Sequence, residues 1–472
     1  MQAKNINPEF ANHPFNFYRQ QNPEAAMRPA PAICAQYSDL YLEYRRMILK
    51  DTGYQLKESA EAFGAHAELI NKWMDAEWEG DLIGDQLALW MRQQPNNQGR
   101  KLFEQALERG IDSIEDPAPE LVSFFEQVDA VPELFDLEKA QRAADLLADL
   151  SPLMHYMANS SLIWVSSSVG PVSRMVGATG RFFDVENSLS RFVETSSYVV
   201  GDVSAADVFQ RNSHCLKTGV RVRLMHSLIR NQVIKSPEKD IIDFAERGHP
   251  MSMHISANGG FMFTFYCLAY SAAMGKQYTR ENYEDCCELA CLIAYINGVD
   301  YDWLPKGLEE CCLYIDHSLS MCEGLTPFTE DLNKAFYYGI PELLAKRQNS
   351  KLLAMGTPIS QKILCGINQV AYGTKIFENM PGMPERSSLV FGGFIAAKYL
   401  RKFWLALDEK LPFYQQRLIK RRQKHREFSN KKFVSLVAKL MKRTDSKEVS
   451  MTYDGHDHST EQDLKPAQSS QG

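Results

Sequence analysis

The sequence has no long uninterrupted apolar run, no recognisable secretion signal and no excess of positive charge. A membrane-spanning helix needs about 18 strongly apolar residues, and the nearest segment, 259–275, is diluted by serine, tyrosine and glycine. That segment favours a buried core helix. The net charge of −7 argues against a nucleic-acid-binding protein, and the polar, proline-bearing N-terminal segment has no apolar signal core. We therefore expect a cytoplasmic protein, with at most peripheral contact with the inner face of a membrane.

The ten cysteines form no C-x-x-C pair, which removes the commonest zinc and redox spacings. Most of them lie in apolar, helix-like runs, so we expect buried free thiols in a reducing compartment. A metal cluster built from positions 286, 287 and 291 with 311 and 312 is the alternative, although its spacing matches no recognised ligand pattern.

Alternation of apolar and polar residues, which is typical of strands, is also missing. From about residue 40, apolar residues return every three to four positions, which predicts helices almost without interruption. We therefore predict an all-α protein formed by a single large helical bundle. The expected segments are an irregular N-terminal arm (1–39), an N-terminal helical cap (40–133), a helical core (134–345), a C-terminal helical section (346–416), a basic amphipathic helix (417–443) and a disordered tail (444–472).

The most informative segment, VRVRLMHSLIR, places one histidine, His226, among arginines in an otherwise apolar run. If residues 215–234 are helical, Val222 and Ile229 share the histidine's face, and Arg223 and Arg230 lie on one flank of it. Buried arginines need anions. A bound haem would explain both the histidine and the buried arginines. The imidazole would bind the iron, the aliphatic side chains would pack against the porphyrin, and the guanidiniums would pair with the propionates. A core histidine beside arginines that reach the surface is the alternative that the spacing leaves open.

A second predicted helix covers residues 184–200 and starts at Asp184, a good capping residue. Arg191, Glu194 and Thr195 gather on one of its faces at helical spacing. Taken alone, such a polar stripe is typical of a solvated surface.

Three motifs in this order resemble those of the latex-clearing-protein (rubber oxygenase) family, which includes the oxygenase of mycophenolic acid biosynthesis. They are Thr179-Gly-Arg181, Arg191-Phe-Val-Glu-Thr195 and Val222-Arg-Leu-Met-His-Ser-Leu-Ile-Arg230. The similarity extends from about residue 81 to 305. It implies a helical fold that encloses haem b, with His226 as the proximal iron ligand and with Arg191 and Thr195 on the distal side. It also implies an oxygenase that uses O₂ to cleave double bonds in isoprenoid chains.

The chain departs from the rubber oxygenases at two positions. Glu194 stands where they carry a distal lysine, and Met175 lies near the position of their proposed catalytic glutamate. Glu194 can act as a base or hold Arg191 in place. We therefore expect a haem-dependent oxidoreductase for a small hydrophobic substrate, isoprenoid or unsaturated and lipid-like, rather than for rubber. A non-catalytic haem- or lipid-binding helical protein is the alternative.

Positive charge is concentrated near the C-terminus. Residues 417–443 contain eleven Lys or Arg residues and one acidic residue, Glu427, interleaved with apolar side chains. This pattern predicts a basic amphipathic helix on an anionic membrane surface. A solvated helix that pairs with the acidic remainder of the chain fits the pattern equally well.

Overall fold

A computed structural model of the chain describes residues 41–151, 154, 155, 158, 172, 185, 195, 198–235, 249–320, 328–347, 351–375 and 380–428. Every regular element in these ranges is a helix, which confirms the predicted all-α class. The predicted arm (1–39), the tail (444–472) and most of the second half of the basic helix (429–443) lie outside the described residues.

The helices are short to medium in length, and we number the α-helices in chain order. They are α1 (Leu42–Leu49), α2 (Ala60–Gly64), α3 (Ala67–Asp75), α4 (Leu82–Gln93), α5 (Gln98–Arg109), α6 (Pro119–Asp129), α7 (Val131–Leu134), α8 (Leu137–Ala148), α9 (His214–Lys235), α10 (Met253–Phe263), α11 (Phe265–Ala273), α12 (Arg280–Ile296), α13 (Gly307–Ser320), α14 (Thr329–Lys334), α15 (Ile340–Arg347), α16 (Lys351–Tyr372), α17 (Ser388–Lys410) and α18 (Tyr414–Glu427). Two π-helical turns, Tyr198–Asp202 and Ala335–Gly339, add to them.

The chain forms two compact units that interleave in sequence. The first comprises Met1–Leu147, Asp202–Leu268 and Tyr278–Cys322, and the second comprises Ala148–Gly201, Ala269–Gln277 and Glu323–Gly472. The predicted division near residue 133 falls inside the first unit, and those near 345 and 416 fall inside the second.

Local sequence signals explain where the central helices of the first unit begin and end. Asp81 caps α4, because its Oδ1 accepts a hydrogen bond from the amide of Gly84 at 2.9 Å. Thr279 and Asn282 form a reciprocal capping box at the start of α12. That helix ends at Ile296 with Asn297 as its cap, and the next residue, Gly298, has a φ of +94°, the left-handed conformation that commonly stops a helix.

The core of the first unit lies between two helix pairs, because α4 packs on α9 and α10 packs on α12. A Cβ on Gly260 of α10 would overlap the carbonyl of Ala290, so α10 and α12 approach each other at backbone distance. Phe103, Phe124 and Phe125 are all buried and form one aromatic cluster, with ring centroids 5.5–5.9 Å apart. The close-packed helices position α9, which carries the predicted histidine.

The second unit packs α16 between α15 and α17, and α17 contacts α18. Within the same unit, Arg422 of α18 donates to the carboxylate of Asp149, and His425 lies at hydrogen-bond distance from the carbonyl of Ala148. None of the described helices is long and apolar enough to cross a membrane.

The described cysteines are all buried and free, as predicted. They are Cys215, Cys267, Cys286, Cys287, Cys291, Cys311, Cys312 and Cys365. Among the residues that the structure describes, no group of three or more His, Cys, Asp or Glu side chains has the geometry of a metal site.

Candidate functional site

Helix α9 has one tightly packed side and one less covered side. The predicted helix 215–234 is confirmed as His214–Lys235, and Ser213 caps it by accepting a hydrogen bond from the amide of Leu216. On the packed side, which faces α4, the side chains of α9 are buried. They are Val220, Arg223, Leu224, Ser227, Arg230 and Asn231. The less covered side contains His226 with Val222, Met225 and Ile229, all of them half-buried.

Two buried, bidentate ion pairs lock the packed side of α9 onto α4. Arg223 donates from Nε and Nη2 to the two carboxylate oxygens of Asp81, both at 2.7 Å. Its Nη2 also donates to Oε1 of Gln127 at 2.6 Å. The guanidinium lies 4.5 Å from the centre of the Phe124 ring, which adds a cation–π contact.

The second pair lies two turns further along α9. Arg230 donates from Nε and Nη2 to Asp85 at 2.6–2.9 Å, and Ser227 accepts a further hydrogen bond from it at 3.1 Å. Arg230 and Asp85 are 2% and 1% exposed. Asn231 donates to the backbone carbonyl of Asp85, so the polar contacts continue along the interface.

The guanidiniums oppose the effect of burial on both carboxylates. Burial disfavours the charged form of Asp81, but Arg223, Arg230 and the amide of Gly84 together hold the pKa of Asp81 below its usual range. Burial raises the pKa of Asp85 to about 6, even though Arg230 stabilises its charged form. Burial also opposes the charge of Arg230, but Asp85 outweighs it and raises the pKa of Arg230. The four side chains therefore form a compensated charge cluster.

Glycines make room for the Asp81 carboxylate. A Cβ on Gly84 would overlap the Asp81 carboxylate and the Ser227 hydroxyl, and a Cβ on Gly298 would overlap the same carboxylate. Asp81 therefore connects α4, α9 and the end of α12 at a point where no further side-chain atom fits.

The structure differs from the sequence interpretation at Arg223 and Arg230. We expected haem propionates as their partners, and the chain itself supplies Asp81 and Asp85. The physical reason is that a guanidinium buried in a helix interface needs a counter-charge whether or not a cofactor is bound. The carboxylates were missed, although two aspartates four residues apart on an apolar helix are a visible signal for such partners.

The predicted iron ligand has surroundings that suit a haem. His226 supplies one imidazole, and its neighbours on the less covered side are a valine, a methionine and an isoleucine. A b-type haem needs one axial nitrogen donor and apolar contacts for its ring. The residues present therefore fit His226 as the iron ligand and Val222 and Ile229 as contacts of the ring. These three roles stay predictions. Arg223 and Arg230 are paired with Asp81 and Asp85 in this structure, and their predicted role toward the propionates stays a prediction.

The predicted distal residues are described only at one position. Thr195 is helical and half-buried. Arg191, Glu194 and the Thr179-Gly-Arg181 motif lie outside the described residues, so their assignments stay predictions.

A second polar cluster in the first unit, unnoticed in the sequence, surrounds His254. Its Nε2 lies 2.9 Å from Oγ of Ser318 and 3.7 Å from Oε1 of Glu77. Burial lowers the pKa of His254 to about 4. A nucleophile–histidine–acid relay requires the hydroxyl and the carboxylate on opposite ring nitrogens. Here both approach the same nitrogen, so the cluster joins α10 to α13 and is not arranged for catalysis.

Comparison with known proteins yields one structural likeness. No protein-family model matches the chain, and no curated protein matches it. The solved "Structure of Latex Clearing Protein LCP in the closed state" superposes with a TM-score of 0.53 and 15% sequence identity, covering 74% of this chain and 90% of that one. At this identity the likeness concerns the fold, and the chain has the all-α fold of latex clearing protein LCP.

Proposed function

We propose that this protein is a haem b-dependent oxygenase that uses O₂ to oxidise a hydrophobic substrate of the isoprenoid or unsaturated-lipid class, by cleaving a C=C bond or by a related oxidation. The observation that supports this proposal most is the position of His226. It lies on the less covered side of α9 with Val222 and Ile229, while the adjoining flank of the helix is fastened to α4 by the two buried ion pairs of Arg223 and Arg230. A fold like that of latex clearing protein LCP adds support.

The side chains have distinct proposed roles. His226 would hold the iron, and Val222 and Ile229 would pack against the ring. When bound, haem b would supply the redox chemistry that activates O₂. Arg191 and Thr195 would donate hydrogen bonds that stabilise negative charge as it develops on oxygen. Glu194 would either move a proton or orient Arg191.

The first test asks whether the protein holds haem through His226. Full-length protein, expressed with a haem precursor, should be coloured and should contain about one haem per chain in a pyridine haemochrome assay. His226→Ala should lose the Soret band. His214→Ala is the matched control, because His214 is an exposed histidine on the same helix. Colourless wild-type protein, or an unchanged spectrum in His226→Ala, would overturn the proposal.

The second test separates catalysis from binding. Haem-loaded protein should consume O₂ when a polyprenyl or unsaturated-lipid substrate is added. Arg191→Ala and Thr195→Ala should keep the Soret band and lose about 10²–10³-fold in rate, which is typical when a charge-stabilising donor is removed. If the wild type binds haem but consumes no O₂ with any substrate of either class, the non-catalytic binding function replaces the oxygenase.

A further inference from the structure

Helix α17 turns an apolar face outward. Leu389 is 86% exposed, Phe403 61% and Trp404 57%. The exposed positions recur at helical spacing and form one stripe about 27 Å long. It consists of Leu389, Gly393, Ala396, Leu400, Phe403, Trp404 and Leu407. Of the large apolar side chains that are exposed within the described residues, most belong to α17 and the turn that follows it, so exposed apolar surface is concentrated there.

Two of the four cationic side chains of α17, Lys398 and Arg401, lie on the inward side of the helix, and Lys402 and Lys410 are exposed. Arg401 points into the second unit, where it donates to the carbonyls of Ser271 and Met274 at 3.0 and 2.9 Å. Lys398 is half-buried on the same side. The inward side is also apolar, because Val390 and Phe394 lie against Gly366 of α16. Helix α17 therefore has an apolar inward side that packs on the protein and a second apolar stripe that faces outward, whereas a surface helix usually has one apolar stripe only.

The turn between α17 and α18 continues the apolar surface. Leu411 is exposed, and Phe413 is 76% exposed with φ of +59°. A bulky residue seldom adopts this left-handed conformation, because its Cβ meets the backbone. The strained turn presents a phenyl ring at the tip of the α17–α18 hairpin (residues 388–427).

Positive charge accompanies the apolar surface. The hairpin contains ten Lys or Arg residues and three acidic residues in a chain whose net charge is −7. Arg417 and Arg421 pair with Asp408, which fixes α18 to α17. Lys420 and Lys424 are exposed. The hairpin therefore combines an outward apolar stripe with accessible cations.

We propose that the α17–α18 hairpin docks the protein on an anionic lipid bilayer. The apolar stripe and the Phe413 tip enter the boundary between headgroups and acyl chains, with Tyr399 and Trp404 at the depth that amphipathic aromatic side chains prefer. Lys420 and Lys424 bind anionic headgroups. This inference does not depend on the proposed oxygenase function, and it moves the principal membrane contact from 417–443 to α17.

Charge favours a bilayer over a second copy of the chain. A twofold interface centred on the stripe would use the same patch on both copies. It would therefore bring two copies of the basic α18 together, which costs energy because like charges repel. A bilayer that contains acidic lipids provides the apolar layer and the countercharge together.

Vesicle sedimentation of the full-length protein tests the proposal. The protein should bind vesicles of phosphatidylcholine mixed with phosphatidylserine, and Leu400→Ser/Phe403→Ser/Trp404→Ser should weaken binding by at least about tenfold, since three large apolar groups leave the membrane. These side chains are exposed, so circular dichroism should show an unchanged fold. Phe403→Leu/Trp404→Phe, which keeps the stripe apolar, is the matched control and should bind like the wild type.

Two further measurements separate binding to lipid from self-association of the protein. Lys420→Glu/Lys424→Glu should abolish the preference for phosphatidylserine, whereas Lys101→Glu/Lys139→Glu makes the same charge change at exposed positions of the first unit and should not. Brominated phosphatidylcholine should quench a fluorescence component that is missing in Trp404→Phe. The proposal is overturned if the wild type does not bind these vesicles or if the triple serine variant binds equally well. It is also overturned if light scattering shows a dimer that only this variant dissociates.

Discussion

Replacement of Arg230 by methionine distinguishes an internal carboxylate from a cofactor propionate as the partner of this guanidinium. In the structure Arg230 pairs with Asp85, and both side chains are almost fully buried. The substitution keeps an unbranched chain of similar length and removes the charge. Asp85 would then be left in an apolar interface between α4 and α9 without its counter-ion.

The expected loss is large. Removal of one partner of a buried ion pair costs about 3–5 kcal/mol, because the remaining charge is desolvated without compensation. The loss should grow with pH, since burial already raises the pKa of Asp85 to about 6 with Arg230 in place. Without Arg230 the carboxyl would stay protonated to still higher pH, and its ionisation would cost stability there.

Urea denaturation of haem-free protein, followed by circular dichroism at several pH values, measures this loss. Arg46→Met is the control, because the Arg46–Glu58 pair is more than half exposed and should leave the free energy of unfolding nearly unchanged. Asp85→Leu combined with Arg230→Met should recover most of the loss. If Arg230→Met instead leaves the haem-free protein as stable as the control and only weakens haem binding, the ion-pair argument is refuted and the propionate role is supported.

Two further predictions concern the interior of the first unit. Gly84→Ala should lower the free energy of unfolding by about 1–3 kcal/mol, because its methyl group overlaps Asp81 and Ser227. Gly64→Ala, which meets open space, should be neutral or slightly stabilising in the same urea titration. Burial raises the pKa of Glu77 to about 7, so the folded state retains a proton that the unfolded state releases at its ordinary pKa. The stability that this proton contributes is present at low pH and is lost as the pH rises through about 7. Glu77→Gln should flatten the Tm–pH profile up to about pH 7. If the Tm of this variant falls with pH as in the wild type, Glu77 is not the group responsible.

The fold class and the histidine helix were predictable because both depend on residues that are neighbours in sequence. Helical periodicity is a local pattern, and the limits predicted for α9 differ from the observed ones by one residue at each end. The need of Arg223 and Arg230 for anions also follows from their apolar surroundings. The identity of those anions does not, since Asp81 and Asp85 are 142 and 145 residues away from them along the chain.

The orientation of α17 was beyond sequence reasoning for a different reason. Helix α17 has apolar side chains on both of its sides, so the sequence pattern does not determine which side faces the core. In the structure the side with Val390, Phe394 and Arg401 faces the protein, and Arg401 donates hydrogen bonds to backbone carbonyls there. Which side of an amphipathic helix is buried depends on the partners that the rest of the chain provides.

The interleaved units bear on how the protein is made on the ribosome. Asp85 emerges 145 residues before Arg230, which corresponds to about 7–29 s of synthesis. During that interval Asp81 and Asp85 lack the arginines that pair with them. Residues 148–201, which belong to the second unit, leave the ribosome before α9 does. Neither unit can therefore fold to completion as an independent N-terminal domain, and the nascent chain exposes apolar helix faces until α12 and α13 arrive. Folding during synthesis should consequently depend on protection of these early helices by chaperones.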